Sequence, residues 1–400
     1  MQTQPGPPTR WARAVRGLAD YPDGVARVTL QTIADQVGVS RMTVSNAFSR
    51  PDQLSGSLRS RILEAATALG YAGPDPSARA LARGTTGTVG VLLTSSLSYA
   101  FDDDVATSFL GAVAEEVGPT GLAITLLSSY AVNEMIPARD VAMDGAVVYS
   151  CDPDMSAVEW LTRRGLPVVF ADQEPTEGIS CVNVDDRGGA RAAAQHLVDL
   201  GHHRIAIMTA AIGGAVGIIE DPVNDAKSSK FVSRERLLGY LEALEPAGIT
   251  SVVHRQAHSD DEEAYAAALR LLAGEDRPTG VLCFSDVIAH GVVRAAEQLG
   301  LDVPGDLSVV GFDDSPLARR LRPQLTTVHQ DVHEKGRLAA SALRAAMEHD
   351  RSGRSDRAGT GHAPLHVVLP TELVVRESTA RPRAGTGPDI GAARPASHRG

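Results

Sequence analysis

The chain has 400 residues, which at roughly 150 residues per domain allows two to three domains and excludes a peptide or a single small module. Apolar residues make up 43% and charged residues 22%, near globular averages, and no run approaches the roughly 18 consecutive apolar residues of a membrane span. The formal net charge of -11 speaks against a nucleic-acid partner, but residues 1–83 hold ten Arg against six Asp or Glu, about +4, and leave the rest of the chain at about -15. Such asymmetry hints at a basic binding module on an acidic body.

The N-terminal stretch MQTQPGPPTRWARAVRGLAD is basic and lacks the apolar core of a secretory signal, so export is not expected. Residues 1–26 are rich in Pro and Gly without apolar periodicity and are expected to be a disordered lead. From Val28 to Tyr71 the pattern is helical. Thr29 can cap a helix from Leu30 to Val37 that stops at Gly38; Ser40 can cap a second, Arg41 to Phe48; Ser57 can cap a third, Leu58 to Leu69. Three short helices with a tight turn between the first two form a helix-turn-helix unit.

After Gly87, short apolar runs alternate with amphipathic helices. Val89 to Thr94, Ala123 to Leu127, Gly145 to Tyr149, Val168 to Ala171, Arg204 to Met208, Gly280 to Phe284 and Ser308 to Phe312 read as buried parallel strands. Val105 to Val117, Gly188 to Leu200, Arg234 to Leu244, Glu262 to Leu272 and Ala289 to Leu299 read as crossover helices. The fold class is therefore α/β, with doubly wound parallel sheets in two lobes and ligands at the carboxyl ends of strands. The stretch EHDRSGRSDRAGTGHA, 348–363, reads as an exposed insertion, and the end from Thr379 as a fraying tail.

The three cysteines, Cys151, Cys181 and Cys283, are odd in number and show no C-x-x-C spacing, so neither a disulfide framework nor a cysteine zinc site is indicated and a reducing cytoplasm is the simplest home. His329 and His333 stand at i and i+4, but without an H-E-x-x-H glutamate or an evident third ligand they are read as structural. The run Asp102-Asp103-Asp104 reads as a solvated loop or helix start, and His202-His203 as a structural turn. No dinucleotide fingerprint, P-loop or G-x-S-x-G elbow occurs, so no cofactor and no enzyme chemistry are expected.

The sharpest local signal is VTLQTIADQVGVSRMTVSNAF, Val28 to Phe48. In a helix-turn-helix the second helix enters the major groove by its N-terminal residues. With the apolar face assigned, Arg41, Met42, Thr43, Ser45 and Asn46 remain exposed. Arg41 suits guanine, Asn46 suits adenine or a phosphate, and Thr29, Ser40, Thr43 and Ser45 suit phosphate oxygens. A small helical bundle with a solvated polar face would show the same spacing.

This segment resembles the lac-repressor (LacI/GalR) family of bacterial transcription regulators. Its pattern V-T-x-x-x-I-A-x-x-x-G-V-S-x-x-T-V-S is complete as Val28, Thr29, Ile33, Ala34, Gly38, Val39, Ser40, Thr43, Val44 and Ser45. Further elements follow in order: Leu69-Gly70-Tyr71, the run Pro76 to Gly84, Val184 to Gly189, Leu200-Gly201-His202, Ser285-Asp286, Val303-Pro304, Val309 to Asp314 and Leu325-Thr326-Thr327. The resemblance spans about residues 28–377. Two departures stand out: position 46 is Asn where many relatives place Arg, and Tyr71 to Asp75 carries one extra residue.

The resemblance implies a hinge helix at Pro76 to Arg83, with Leu81 as a minor-groove wedge beside Ala78, and a periplasmic-binding-protein-like core whose cleft takes a small molecule. The implied organisation is a helix-turn-helix domain at 27–74, a hinge at 75–87 and a core at 88–378. Within the core, the first lobe takes 88–184 plus 329–362, and the second 185–328 plus 363–378. Family positions for effector contacts fall on Asp172, Arg236, Ser285, Asp313 and Gln330, and Tyr99 and Phe101 follow the first strand where they would wall the cleft. His258 lies near a position that relatives use for stacking. The implied function is a cytoplasmic, homodimeric regulator, in this family usually a repressor, on palindromic operator DNA, controlled by a small molecule, with a sugar the leading candidate. Induction and corepression both remain open, as does the alternative of a cytoplasmic sensor whose helix-turn-helix domain has lost specific DNA binding.

Overall fold

The computed structural model of the chain describes residues 28–71, 73, 75–93, 97–129, 134–150, 156–210, 215–351 and 364–383. The expected N-terminal lead, Cys151, most of the 348–363 insertion and the end of the tail lie outside them. The chain divides into two compact units, residues 1–86 and 87–400.

In the first unit, α1 (Leu30–Val37) starts in a reciprocal cap: the Thr32 amide donates to Thr29 Oγ1 and the Thr29 amide to Thr32 Oγ1, both at 3.3 Å. It ends at Gly38, whose φ of 78° is a left-handed conformation that glycine adopts without a Cβ penalty. α2 (Arg41–Ser49) follows, with Ser40 accepting from the Thr43 amide at 3.1 Å. α3 runs over Gly56–Ala68, capped by Ser55 and not by Ser57 as the sequence suggested. Ser55 has the extended backbone that lets its oxygen face the Leu58 amide, whereas Ser57 is already helical. Ile33, Ala34, Val44, Ala47, Ile62 and Ala66 form the core of this unit, and Phe48 meets Tyr71 edge to face with centroids 5.7 Å apart. A fourth helix, α4 (Pro76–Arg83), opens with the Ala78 amide donating to Asp75 at 3.3 Å.

The second unit holds two sheets. Strands β1 (Thr88–Leu93), β2 (Ala123–Ser128), β3 (Gly145–Tyr149), β4 (Val168–Ala171), β5 (Ser180–Val184) and β12 (His366–Leu369) form the first, in the order β12-β5-β4-β3-β1-β2. All its pairings are parallel. Successive residues alternate between its two faces. Val91, Val147 and Val169 pack against α6 (Asp104–Val117) and α15 (Val332–Arg351), while Leu92, Val148 and Phe170 pack with α7 (Pro137–Asp140) and α8 (Ser156–Arg163) on the other side. A short α5 (Tyr99–Asp102) precedes α6.

The second sheet contains β6 (Ile205–Ala210), β7 (Gly217–Ile219), β8 (Val252–Gln256), β9 (Gly280–Cys283), β10 (Ser308–Asp313), β11 (Thr326–Gln330) and β13 (Thr371–Val374), ordered β13-β11-β10-β9-β6-β8-β7. Its edge strands β7 and β13 run antiparallel to their neighbours, a departure from the purely parallel expectation. α9 (Asp186–Asp199) and α11 (Phe231–Leu244) cover one face, α12 (Asp261–Leu272) and α13 (Asp286–Gln298) the other; α10 (Pro222–Ser228) and α14 (Pro316–Arg320) are short connectors. A Cβ on Gly239 would lie 2.3 Å from the Arg187 carbonyl, and one on Gly291 2.4 Å from that of Asp261. Both glycines therefore set close helix approach.

The chain passes between the sheets three times, after β5, after β11 and after β12. Three boundaries differ from expectation. Residues 366–369, placed in the second lobe by sequence, pair with β5 of the first sheet, because the whole β12 register runs from Cys181 to Val184. α15 continues to Arg351, four residues into the expected insertion. The tail is anchored beyond Thr379: His202 Nε2 lies 2.9 Å from the Ala380 carbonyl, and Arg383 pairs with Asp302 and Asp306.

Candidate functional site

The first candidate surface is α2. Val44 and Ala47 are buried, while Arg41 and Met42 at its start face solvent, Met42 with 70% of its surface exposed. Ser40 and Thr43 are joined through their hydroxyls at 2.8 Å in addition to the cap, and Thr29 serves the reciprocal cap of α1, so these groups first stabilise helix starts. Thr43, Ser45 and Asn46, expected to be exposed, are half-buried where α2 turns toward its neighbours, and the Ser45 carbonyl accepts from the Ser49 hydroxyl. Asn46 Nδ2 donates to Gln53 Oε1 at 3.2 Å, which fixes its amide on the free surface. Within this unit Ala78 is exposed and Leu81 is 87% exposed. A leucine so exposed gains nothing from the fold it belongs to, and its burial elsewhere would contribute about 1.5–3 kcal/mol.

The second candidate is a cleft between the two sheets of the core, with a cavity volume of about 140 Å³. Strand ends build it. Tyr149 ends β3 and Ser150 follows it, Asp172 follows β4, Ala210 ends β6, Phe284 and Ser285 follow β9, and Asp313 and Gln330 end β10 and β11. Ser150, Asp172 and Asp313 have φ of 50°, 56° and 112°, backbone that non-glycine residues enter only when neighbours hold them there. The strain is localised where the carboxylates turn toward the cleft.

Arg236, from the second turn of α11, lies at the centre. It is 4% exposed, donates from Nε to Asp186 at 2.7 Å and from Nη1 to the Phe284 carbonyl at 2.5 Å, and pairs with Asp313 at 3.2 Å. Its guanidinium stands 3.6 Å from the Phe312 ring centroid and 4.6 Å from that of Phe284. From Asp313 the network continues to Gln330 Nε2 at 2.7 Å; Lys335 Nζ then donates to Gln330 Oε1 at 3.0 Å and to Asp172 at 2.6 Å. The chain of polar contacts thus spans both lobes and the β11 crossing. The second oxygen of Asp172 is buried and accepts no hydrogen bond from the protein.

Burial pushes the Asp186 and Asp313 carboxyls up to about 6, with Arg236 opposing the rise in both and the nearby Asp103 charge adding to it at Asp313. Burial alone would lower the Arg236 pKa, yet the charges of Asp313 and Asp186 hold it above the usual value. Asp286, beneath Ser285, is pushed up to about 8 by burial and by Asp313, against hydrogen bonds from Thr327 and Ser315.

Asp172, Arg236, Ser285, Asp313 and Gln330 all line this cleft, as does His258. Phe101 does not: it is 66% exposed because α5 turns its neighbour Ala100 inward instead. The Tyr99 side chain lies outside the described residues. Among the described residues the aromatic walls are Tyr149, stacked on Phe109 with centroids 4.2 Å apart, and Phe284. Sequence reasoning overlooked these two, along with Asp103, Lys335 and Asp186. The position of Tyr149 at the last residue of an expected strand was the available signal. His329, one residue before the end of β11, lies 3.2 Å from Asp314, while His333 in the first turn of α15 meets Glu115 at 2.8 Å, so the two imidazoles face different carboxylates. No group of three or more metal-ligating side chains occurs among the described residues, and none of their helices is long and apolar enough to cross a membrane.

Comparison with known proteins matches residues 29–73 to the model of bacterial regulatory proteins, lacI family, and residues 194–379 to that of the periplasmic binding protein-like domain. A helix-turn-helix-type transcriptional regulator of Mycolicibacterium smegmatis is 35% identical over 376 residues, covering 90% of this chain and 98% of the relative. The crystal structure of a LacI-family transcriptional regulator from Corynebacterium glutamicum superposes with a TM-score of 0.62 at 31% identity, over 89% of this chain and 99% of that one. A complex of the transcriptional regulator CelR with cellobiose gives 0.59 at 27% identity, over 88% of this chain and all of the other.

Proposed function

This chain belongs to the lacI family of bacterial regulatory proteins and is a DNA-binding transcriptional regulator; on that premise we propose that it is a cytoplasmic repressor whose hold on a palindromic operator is set by a carbohydrate effector in the core cleft. Two copies pair so that their α2 helices enter successive major-groove turns about 34–36 Å apart. Arg41 and Met42 read base edges, helped by Asn46 once it leaves Gln53. Thr29, Ser40, Thr43 and Ser45 position the helix on phosphates, and Leu81 beside Ala78 wedges a minor-groove step. The observation that carries the DNA half of this reading is the division of α2 into a locked apolar face and a solvent-facing start.

Asp172, Ser285, Asp313 and Gln330 are acceptors or donors at the carboxyl ends of strands, with Arg236 holding Asp313 and Lys335 holding Asp172, which suits paired hydroxyl groups. The CelR complex with cellobiose supports a carbohydrate for this cleft. An effector that binds the two arrangements of the lobes unequally shifts the population between them, and operator DNA must then alter effector affinity by the same factor. A surplus of about +4 over residues 1–83 of each chain, roughly +8 in a pair, gives phosphate attraction a modest part, so base contacts and the wedge carry selectivity. Footprinting of the full chain on the DNA upstream of its own gene tests the reading. A protected palindrome supports it; uniform protection that vanishes with added salt points to a sensor without specific DNA binding.

A further inference from the structure

We infer that Lys335 is a positioning residue that latches the two lobes of the core to each other, by joining Asp172 of the first lobe to Gln330 of the second through one buried ammonium. The latch acts in the core without any ligand, so it stands apart from which effector the cleft takes.

Lys335 lies in the first turn of α15, whose buried face is otherwise apolar: Val332, Ala339, Ala340 and Leu343 pack on the first sheet. With 1% of its surface exposed, the side chain donates from Nζ to Asp172 Oδ2 at 2.6 Å and to Gln330 Oε1 at 3.0 Å. Asp172 follows β4 in the first sheet, and Gln330 ends β11 in the second. The Gln330 amide is held from both ends: its oxygen accepts from Lys335, while its Nε2 donates to Asp313 at 2.7 Å. Turned over, the amide would set its nitrogen against the ammonium and its oxygen against the carboxylate. Lys335 thus orients Gln330 and, through it, ties Asp172 to Asp313, which pairs with Arg236 at 3.2 Å.

Packing alone does not call for a lysine here. Replacing a buried ion pair by apolar side chains of similar size is often neutral or stabilising, and the best-attested use of such a pair is to fix which groups meet. The groups that meet around Lys335 would otherwise repel. Burial raises the Asp186 and Asp313 carboxyls and Arg236 lowers them; beyond these, the Asp172 charge raises the proton affinity of Asp186 across the lobes, and Lys335 lowers that of both. The second oxygen of Asp172 is buried and accepts no hydrogen bond from the protein, so among the described residues the ammonium is the ion-pair partner of this carboxylate. Arg234 and Glu174 form a second ion pair between the lobes, but 51% of the Glu174 side chain faces solvent. Water screens that contact, whereas the Lys335 contacts lie in a low-dielectric interior where each is stronger. An effector that favours another arrangement of the lobes must act against this latch, so Lys335 sets the ratio of arrangements from which the effector starts.

Double electron-electron resonance on the full chain tests the latch without a ligand. Spin labels go on Thr162→Cys in α8 and Ala192→Cys in α9, both exposed and one on each lobe. The background is Cys151→Ser, since Cys181 and Cys283 are buried, and labelled chains are diluted into an excess of unlabelled chain so that distances within one chain are read. Lys335→Met is expected to widen the distance distribution about twofold or more, as the lobes gain a second arrangement. Because it also strands a buried carboxylate, Gln330→Met is the companion variant: it cuts the second-lobe arm, leaves the Asp172 ion pair in place and creates no unpaired charge. The same widening is expected there, and Gln330→Met decides alone should Lys335→Met fail to fold. A distribution as narrow as the wild type in either folded variant overturns the latch; widening in Lys335→Met alone reduces Lys335 to neutralising Asp172. Glu174→Gln cuts the exposed pair and is expected to keep the wild-type width. Widening as large in that variant moves the coupling to the rim and overturns the inference.

Discussion

Replacing Arg236 by Met keeps side-chain length and removes the cation that two buried carboxylates share. Asp186 and Asp313 lie 2.7 Å and 3.2 Å from it, and its side chain is 5% exposed, so solvent screening does little to soften the change. Breaking a buried ion pair by deleting one partner costs about 3–5 kcal/mol. At about 2–4 °C per kcal/mol for a body of this size, the unfolding midpoint of the core at pH 8 should fall by about 6–20 °C. Acid should restore much of that loss. Both carboxyls already have pKa values raised to about 6, above the usual 3.8, so the folded state holds their protons more tightly than the unfolded chain. Their contribution to stability is therefore present at low pH and lost as pH rises through about 6. Without Arg236, which pulls both values down, protonation comes at still higher pH, and at pH 5.5 the variant should be only about 1–2 kcal/mol less stable than the wild type, mainly through lost hydrogen bonds. Near-ultraviolet circular dichroism melts at pH 5.5 and pH 8 measure both numbers. A midpoint shift under about 2 °C at pH 8, or a loss as large at pH 5.5, would refute the account of the cleft as a charge-balanced core.

Leu81→Ala should leave the melting midpoint unchanged, since this side chain is 87% exposed, yet weaken operator affinity about tenfold or more; equal affinity by gel shift would remove the wedge role. Ser40→Ala deletes the α2 cap and should destabilise the helix-turn-helix domain by about 1 kcal/mol, seen as faster amide exchange in α2 with the core unaffected. Gly291→Val should destabilise the second lobe by more than about 2 kcal/mol, because even its Cβ would lie 2.4 Å from the Asp261 carbonyl; a wild-type urea midpoint would contradict the packing. Asp286, raised to about 8, makes the wild type lose stability as pH climbs from about 4 toward 8, so Asp286→Asn should flatten that part of the pH–stability curve, and a parallel curve would show that Asp286 does not titrate there.

The helix-turn-helix domain could be read from the sequence because its signals are local. Thr29, Ser40 and Gly38 mark helix ends by chemistry that acts over three or four residues, and only Ser55 against Ser57 needed the backbone to decide. Two of the six strands that escaped notice mix polar residues into buried positions: Ser180–Val184 carries Ser and Asn, and Val252–Gln256 carries His, Arg and Gln, all buried among sheet neighbours in the fold. Lys335 escaped for the same reason. A lysine on an amphipathic helix reads as a solvated charge, and its carboxylate partner, Asp172, is 163 residues away in the chain. The helix expected from Gly188 begins at Asp186, whose pairing with Arg236 depends on how α9 packs on α11. Proximity to the first strand points to Phe101, whereas the direction in which α5 turns is set by Ala100 and the α6 cap at Asp103.

The most direct measurement of the central claim is fluorescence anisotropy of the full chain on a labelled palindromic duplex from its own upstream region, against a scrambled duplex of equal length, with and without a carbohydrate found to raise the melting midpoint of the chain. The account predicts at least hundredfold preference for the palindrome, roughly, weakening as salt rises, and an effector-dependent change in its Kd of about fivefold or more. Equal affinity for the two duplexes, or a palindrome affinity that a cleft-bound compound leaves untouched, would contradict it.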